Sequence, residues 1–367
     1  MVRTSIPVTE VVARAYTVPT EVPESDGTLE WDATTVVVVE ARAGGLTGIG
    51  YSYTDAGAVS LVASKLAPVV EGHDALDVAA AWARMVDALR NVGRVGVGAT
   101  ALSAVDVALW DLKARLLDVP AAVALDACRA EVPIYGSGGF CSYSPAQLHD
   151  QLAGWVGAGI PRVKIKVGRR PAEDPERLAT ARKAVGDDTA LYVDANGAFS
   201  PRQAMAEANV YADFAVGWFE EPVSSDDLAG LAAVRRGAPT GIDVAAGEYG
   251  YTAEYFAAML AAGAVDCLQA DVTRCGGFTG FLKVAALCDA AHIDLSAHCA
   301  PQISAHACTA VWHLRHLEYF HDHVRIESLF FDGVLEPAEG GVLVPDRTRP
   351  GLGLDLRRGD IERFAVG

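Results

Sequence analysis

The sequence predicts an α/β protein. It reads as a (β/α)8 barrel, preceded by a smaller α+β domain and followed by a tail that returns to that domain. Three observations point there. The first 130 residues run strands and then helices. From about residue 132 short apolar strands alternate with helical text. From the second of those strands onward, each ends in a charged or polar residue, spaced at intervals of 23 to 29 residues.

The predicted boundaries are 1–130 for the N-terminal α+β capping domain, 131–330 for the barrel and 331–367 for the returning segment. In the first domain, EVVARAYTV and TTVVVVEARAGGLTGIGYSY read as strands. GATALSAVDVALWDLKARLL reads as a helix, because Leu102, Val105, Ala108, Leu109, Leu112 and Leu116 form an apolar stripe. The polar stretch 17–33, with its Pro and Gly, reads as a mobile loop able to close over a site. The eight barrel strands are expected at VPIYGSG, RVKIKVG, ALYVDANG, VGWFEEP, IDVAAGE, VDCLQAD, IDLSAHC and VRIES.

Composition narrows the function. The chain has 367 residues, is 51% hydrophobic and carries a formal net charge of -17. Such acidity argues against nucleic acid or an anionic membrane as partner, but not against a small anionic substrate held at a locally positive site. The longest apolar runs are far too short to span a bilayer, and MVRTSIPVTE lacks the apolar core of a secretory signal. Seven cysteines without a CxxC pair read as reduced thiols of a cytoplasmic protein.

In the second barrel strand, VKIKV, Val163, Ile165 and Val167 point one way while Lys164 and Lys166 point the other, side by side. Two ammonium groups on one face repel, and neither is easily buried without anions. The other strand ends supply those anions: Asp194 and Asn196, Glu220 and Glu221, Glu248, Asp271, His298 and Glu327. Strand ends on the C-terminal rim of a barrel are where its active sites are built. Asp194, Glu220 and Glu248 lie on consecutive strands, and three converging carboxylates need a cation. An all-oxygen set suits Mg2+, with Mn2+ as an alternative. Alternation lets only one of Glu220 and Glu221 point inward. Asp271 beside His298 would orient the imidazole and raise its basicity.

With VKIKVG, YVDANGAF, WFEEP, AAGE, LQADVTRCGGFTG, LSAHC, RIES and SAVDVALWDLKA, the chain resembles the enolase superfamily, within it the mandelate racemase branch. The resemblance runs over nearly the whole chain. It implies a modified TIM barrel of the enolase type with a capping domain, Mg2+ as cofactor and a homo-oligomer. It implies Asp194, Glu220 and Glu248 as metal ligands, and Lys166 as base on one face of the substrate carbon. His298, oriented by Asp271, is then the acid/base on the other face. Lys164 would hold the substrate carboxylate and lower the pKa of Lys166. Glu327 would sit near that carboxylate, and Asn196 would line the site.

Two motifs read as incidental. HLRHLEYFHDHV at 313–324 has four histidines, but no cysteine partner to make a zinc site. RCGGFTG lacks the rest of a phosphate-binding fingerprint and reads as a tight turn. Tyr51, Tyr53 and Trp31 are placed in capping segments that could meet the substrate.

The expected reaction is abstraction of the α-proton of a hydroxy-carboxylate. Polar capping residues (Glu21, Glu24, Ser25, Asp26) favour a sugar acid, dehydrated to a 2-keto-3-deoxy acid. A racemase or epimerase uses the same residues. A glycoside hydrolase with Glu220 and Glu248 as its carboxylate pair is the more distant alternative, and it leaves both lysines without a task.

Overall fold

The computed structural model describes residues 5–366. The capping domain opens with β1 (Glu10–Ser25), β2 (Glu30–Ala43) and β3 (Leu46–Tyr53), an antiparallel sheet in that order. Helices α1 (Val78–Leu89) and α2 (Val97–Leu116) pack beside it. α2 is buried on nearly every side. It lies between β3 and the barrel, so an apolar stripe alone does not describe it.

The stretch expected to be a mobile loop is instead a hairpin. Residues 17–25 belong to β1 and 30–33 to β2, with Glu24 opposite Trp31 and Ser25 opposite Glu30. Only 26–29 form the turn, held by the Asp26 carboxylate, which accepts from the backbone N–H of Thr28 and Leu29. The tip rests on the barrel: the Thr28 hydroxyl donates to Asn196 O at 3.2 Å. Gly27 fits there because a Cβ would stand 2.3 Å from Ala195 O.

Eight parallel strands follow: β4 (Val132–Gly138), β5 (Arg162–Lys166), β6 (Ala190–Asp194), β7 (Val216–Glu220), β8 (Asp243–Ala246), β9 (Cys267–Ala270), β10 (Asp294–Ala297) and β11 (Leu314–Phe320). β11 pairs with β4 and closes the barrel. Val163, Ile165 and Val167 pack in the apolar core, as the alternation of VKIKV requires. Inside, Tyr135, Tyr192, Trp218 and His316 stack into a floor below the strand ends.

Between the strands run helices α3 (Pro145–Gly157), α4 (Asp174–Val185), α5 (Pro201–Ala212), α6 (Leu228–Gly237), α7 (Ala253–Ala261) and α8 (Gly277–Ala291). Seven strands lie where the sequence places them; the eighth does not. VRIES belongs to helix α10 (His321–Phe330), and the strand is LRHLEYF. The helix before it, α9 (Pro301–Cys308), is short, so this repeat is shorter than the others. The tail returns to the cap: Val366 N donates to Ala15 O, and Arg358 ion-pairs with Glu40.

The candidate active site

Strand register brings the charged residues together. Lys166 is the lateral partner of Asp194, and Asp194 of Glu220. Registered residues on neighbouring parallel strands face the same side, so these three line up along the barrel mouth. Lys166 Nζ lies 2.5 Å from Asp194 Oδ2. One layer deeper, Lys164 Nζ lies 2.5 Å from Glu220 Oε1, 2.8 Å from Glu318 Oε1 and 3.3 Å from Asp194 Oδ2. The indole of Trp218 donates to Glu220 Oε2 at 2.9 Å.

Glu248 follows β8 through Gly247, whose φ of +136° suits glycine and where a Cβ would stand 2.0 Å from Gln269 O. Donor atoms of Asp194, Glu220 and Glu248 all lie within 4.8 Å of one another, and all three residues are buried. Among the described residues, Asn196 Oδ1 and Glu221 Oε1 are buried nearby without a hydrogen-bond partner. A buried all-carboxylate set with spare oxygens fits a hard divalent cation such as Mg2+.

Opposite, His298 Nδ1 lies 2.7 Å from Asp271 Oδ2. Its Nε2 is 3.3 Å from Glu248 Oε2 and 3.4 Å from Glu318 Oε2. Asp271 is held in turn by the Thr273 N–H and hydroxyl, at 2.6 and 2.7 Å. Lys166, Asn196, Glu248, Arg274, His298, Glu318 and the capping residues Trp31, Thr34, Tyr53 and Asp55 line one cavity of about 450 Å3.

Protonation follows from these neighbours. Burial opposes charge on Lys164, but Glu220, Glu318 and Asp194 outweigh it and hold the ammonium well above the usual lysine range. Burial and then Lys164 pull Lys166 downward, as the sequence predicts, yet Asp194 overrides both and the pKa is raised. Burial pushes Glu220 up to about 8, aided by Asp194 and opposed by Lys164. Burial likewise opposes charge on His298, and its acidic neighbours Glu248, Glu318 and Asp271 outweigh it, so the imidazolium is favoured. Burial, with Glu318 next, keeps the Cys299 thiol protonated.

Several placements differ from expectation. Glu327 sits on α10, not at a strand end. Its carboxyl accepts from the Tyr51 hydroxyl at 2.7 Å and Gln302 N at 3.3 Å, away from both lysines. Tyr51 is fully buried against Phe331 and does not line the cavity, whereas Tyr53 and Trp31 do. Glu221 does not turn outward: with φ +37° its carboxyl is buried beside the carboxylate cluster, and burial, then Glu248, raises its pKa well above normal.

The residue missed from sequence is Glu318, on the true eighth strand. The signal lay in LRHLEYF, where alternation puts His316 and Glu318 on one face. The four histidines of that segment do not gather. His313 pairs with Asp289, His316 sits in the barrel floor, His321 faces Glu21 and His323 stacks on Tyr53. RCGGFTG is a domain junction, where Asp106 of α2 accepts from Thr279 N and its hydroxyl while Ser103 accepts from Gly276 N.

Residues 9–125 match the mandelate racemase / muconate lactonizing enzyme N-terminal domain, and 147–360 match the enolase C-terminal domain-like family. The 3,6-anhydro-alpha-L-galactonate cycloisomerase of Streptomyces coelicolor is 32% identical over 354 residues, covering 95% of this chain and 96% of its own. The L-talarate/galactarate dehydratase of Salmonella typhimurium is 32% identical over 327 residues, covering 88% and 80%. Among solved structures, a mandelate racemase/muconate lactonizing enzyme-like protein from Rubrobacter xylanophilus superposes with TM-score 0.96 at 56% identity, covering 98% of this chain and 100% of that one. A Streptomyces coelicolor racemase with bound magnesium superposes with TM-score 0.92 at 30% identity, covering 98% and 100%. A cap over a closed parallel barrel, both domain models and these relatives agree: the chain belongs to the mandelate racemase/muconate lactonizing enzyme family of the enolase superfamily.

Proposed function

We propose that this enzyme removes the α-proton of a sugar acid and expels the β-oxygen, dehydrating an aldonate or aldarate to a 2-keto-3-deoxy acid. One observation carries the reading: Lys166 and His298 come from opposite sides of the barrel to a single polar cavity beside the three carboxylates. Asp194, Glu220 and Glu248 would hold Mg2+, which supplies positive charge where the substrate carboxylate becomes a dianion. With such a cation bound, Asp194 would hold the Lys166 ammonium less tightly, and Lys164 next to it favours the neutral amine. Lys166 then takes the α-proton at Nζ. Lys164 faces the developing negative charge and stays an ammonium. His298, held by Asp271, donates from Nε2 to the departing hydroxyl as general acid. Glu318 would fix Lys164 with one oxygen and lie beside the imidazole with the other.

The cap supports a polyhydroxylated substrate. Asp26, Thr34, Thr35, Thr54 and Asp55 of the cap and Asp322 of the barrel line the cavity, a polar wall suited to hydroxyl groups. A second reading is favoured by the cycloisomerase relative: if the β-oxygen belongs to a ring, the same proton transfers open it and the product is an isomer. The test is incubation with Mg2+ and a panel of aldonates, aldarates and their cyclic forms, read for 2-keto acid. Solvent deuterium entering the substrate without keto product would overturn elimination and favour racemisation.

A further inference from the structure

The mouth of the barrel holds a second convergence of donors, which adjoins the carboxylate cluster where His298 Nε2 lies 3.3 Å from Glu248 Oε2. His298 Nε2 lies 3.3 Å from Cys299 Sγ, and Cys299 Sγ lies 3.3 Å from Glu318 Oε2. Glu318 Oε2 lies 3.4 Å from His298 Nε2, which closes the triangle. A tetrahedral zinc ion at ~2.3 Å from sulfur and ~2.0–2.1 Å from nitrogen and oxygen spaces sulfur from either partner by about 3.5–3.6 Å and nitrogen from oxygen by about 3.3–3.4 Å. The nitrogen–oxygen separation matches, and the two sulfur separations would each open by only about 0.2–0.3 Å.

The surroundings favour a metal as well. The Asp271 carboxylate engages Nδ1, leaving Nε2 as the nitrogen that faces the other two donors. A carboxylate behind a histidine is the usual support for a metal-binding imidazole. Glu318 divides its oxygens: Oε1 serves Lys164, and Oε2 is turned to the histidine and the thiol. Cys299 and Ala300 both adopt left-handed backbone, with φ +52° and +44°, and this turn puts the thiol beside the imidazole. All three residues line the 450 Å3 cavity, so an ion and a water as fourth ligand can reach them.

We propose that His298, Cys299 and Glu318 form a second cation site, selective for a borderline divalent ion such as Zn2+ over Mg2+. A nitrogen–sulfur–oxygen set suits zinc and disfavours magnesium, which takes oxygen. Binding replaces the S–H bond of Cys299 by a zinc–sulfur bond and the Nε2–H bond of the imidazolium by a zinc–nitrogen bond, and it releases both protons to solvent with no change of oxidation state. The ion occupies the Nε2 lone pair, so zinc and proton transfer at His298 are mutually exclusive. Inhibition of turnover depends on the function proposed above; binding does not, and binding is what the experiment reads.

Co2+ serves as the spectroscopic stand-in, added to the full-length protein in excess Mg2+. The expected result is a near-ultraviolet thiolate-to-cobalt charge-transfer band that Zn2+ abolishes. Cys299→Ser should remove the band and weaken Zn2+ binding by calorimetry by more than the ~10- to 100-fold typical of losing an outer partner. Cys299→Ala should do the same, and provides the variant if the serine chain fails to fold. Absence of the band in the unmodified protein overturns the proposal. So does a band, or an unchanged Zn2+ affinity, in either variant.

Discussion

Lys164 of β5 and Glu318 of β11 meet at 2.8 Å across the barrel mouth, and Glu318 reaches on to His298 with its other oxygen. One carboxylate thus touches two of the cationic side chains that the proposed reaction uses, Lys164 and His298. Glu318→Gln should lower kcat by at least ~100-fold while far-ultraviolet circular dichroism stays unchanged. Glu327→Gln, which touches neither lysine, should keep kcat within about tenfold of the parent. The reverse order would exchange the roles of the two glutamates.

Lys166→Ala and His298→Asn should each lower turnover by ~10²–10⁴-fold or more, since each removes one proton-transfer group. They differ in partial reactions. If Lys166 takes the α-proton, His298→Asn should still exchange that hydrogen with solvent deuterium, and Lys166→Ala should not. Proton NMR of the recovered substrate reads the difference.

Removing divalent cation with a chelator should abolish turnover, and Mg2+ should restore it. Asp194, Glu220 and Glu248 repel one another when no cation neutralises them, so Mg2+ should also stabilise the fold. At a hundred times its dissociation constant the gain is about 2.7 kcal/mol, read as a rise in thermal midpoint. In Asp194→Asn that rise should shrink.

The cap hairpin carries its own pH dependence. Burial, with Asp322 next, pushes Glu24 up to about 9, and the Trp31 indole donates to it at 3.1 Å. Arg325, which pairs with Asp322, pulls the other way. A carboxyl raised in the folded state favours the fold while protonated. Its contribution is complete below the unfolded value near 4.5 and is lost as pH rises toward 9. Glu24→Gln keeps a neutral hydrogen-bonding group, so its thermal midpoint should fall less between pH 5 and 9 than that of the parent.

Tyr51 holds Glu327 at 2.7 Å in a fully buried setting, with Tyr53 only at 3.5 Å. Tyr51→Phe should cost about 1–3 kcal/mol in urea unfolding, because a buried acceptor loses its principal side-chain donor. Turnover should change little.

The barrel was legible from its rhythm. Seven strand ends fell at regular intervals because each repeat spends similar lengths on strand, turn and helix. The eighth broke the rhythm at α9, which has 8 residues, so Glu318 follows His298 by 20 positions and not by the usual interval. Ile326 and Glu327 then imitated a strand end at the expected distance. The inward face of LRHLEYF carries His316 and Glu318, so the strand lacked the apolar look of its neighbours. The β1–β2 hairpin was hidden for a related reason: its far end faces a polar cavity and carries polar residues. Sequence names the neighbours of the Lys166 ammonium but not their distances: Lys164 lowers its pKa as expected, and Asp194 at 2.5 Å outweighs that while no cation shares the carboxylate.

Helix α2 has a consequence for how the chain is made. Asp106 and Asp111 are both fully buried on it. Asp106 is satisfied by Thr279, 173 residues further on, and Asp111 partly by Leu352 N, 241 residues further on. The domain that leaves the ribosome first therefore carries one carboxylate whose partner is made much later, and a second shared between Ile49 and Arg115 of the same domain and Leu352 of the tail. Until the barrel arrives, the face of the helix that carries Asp106 stays open to water, so the N-terminal domain completes its packing only after Thr279 is made. Truncation near the C-terminus should unsettle the beginning of the chain more than the middle.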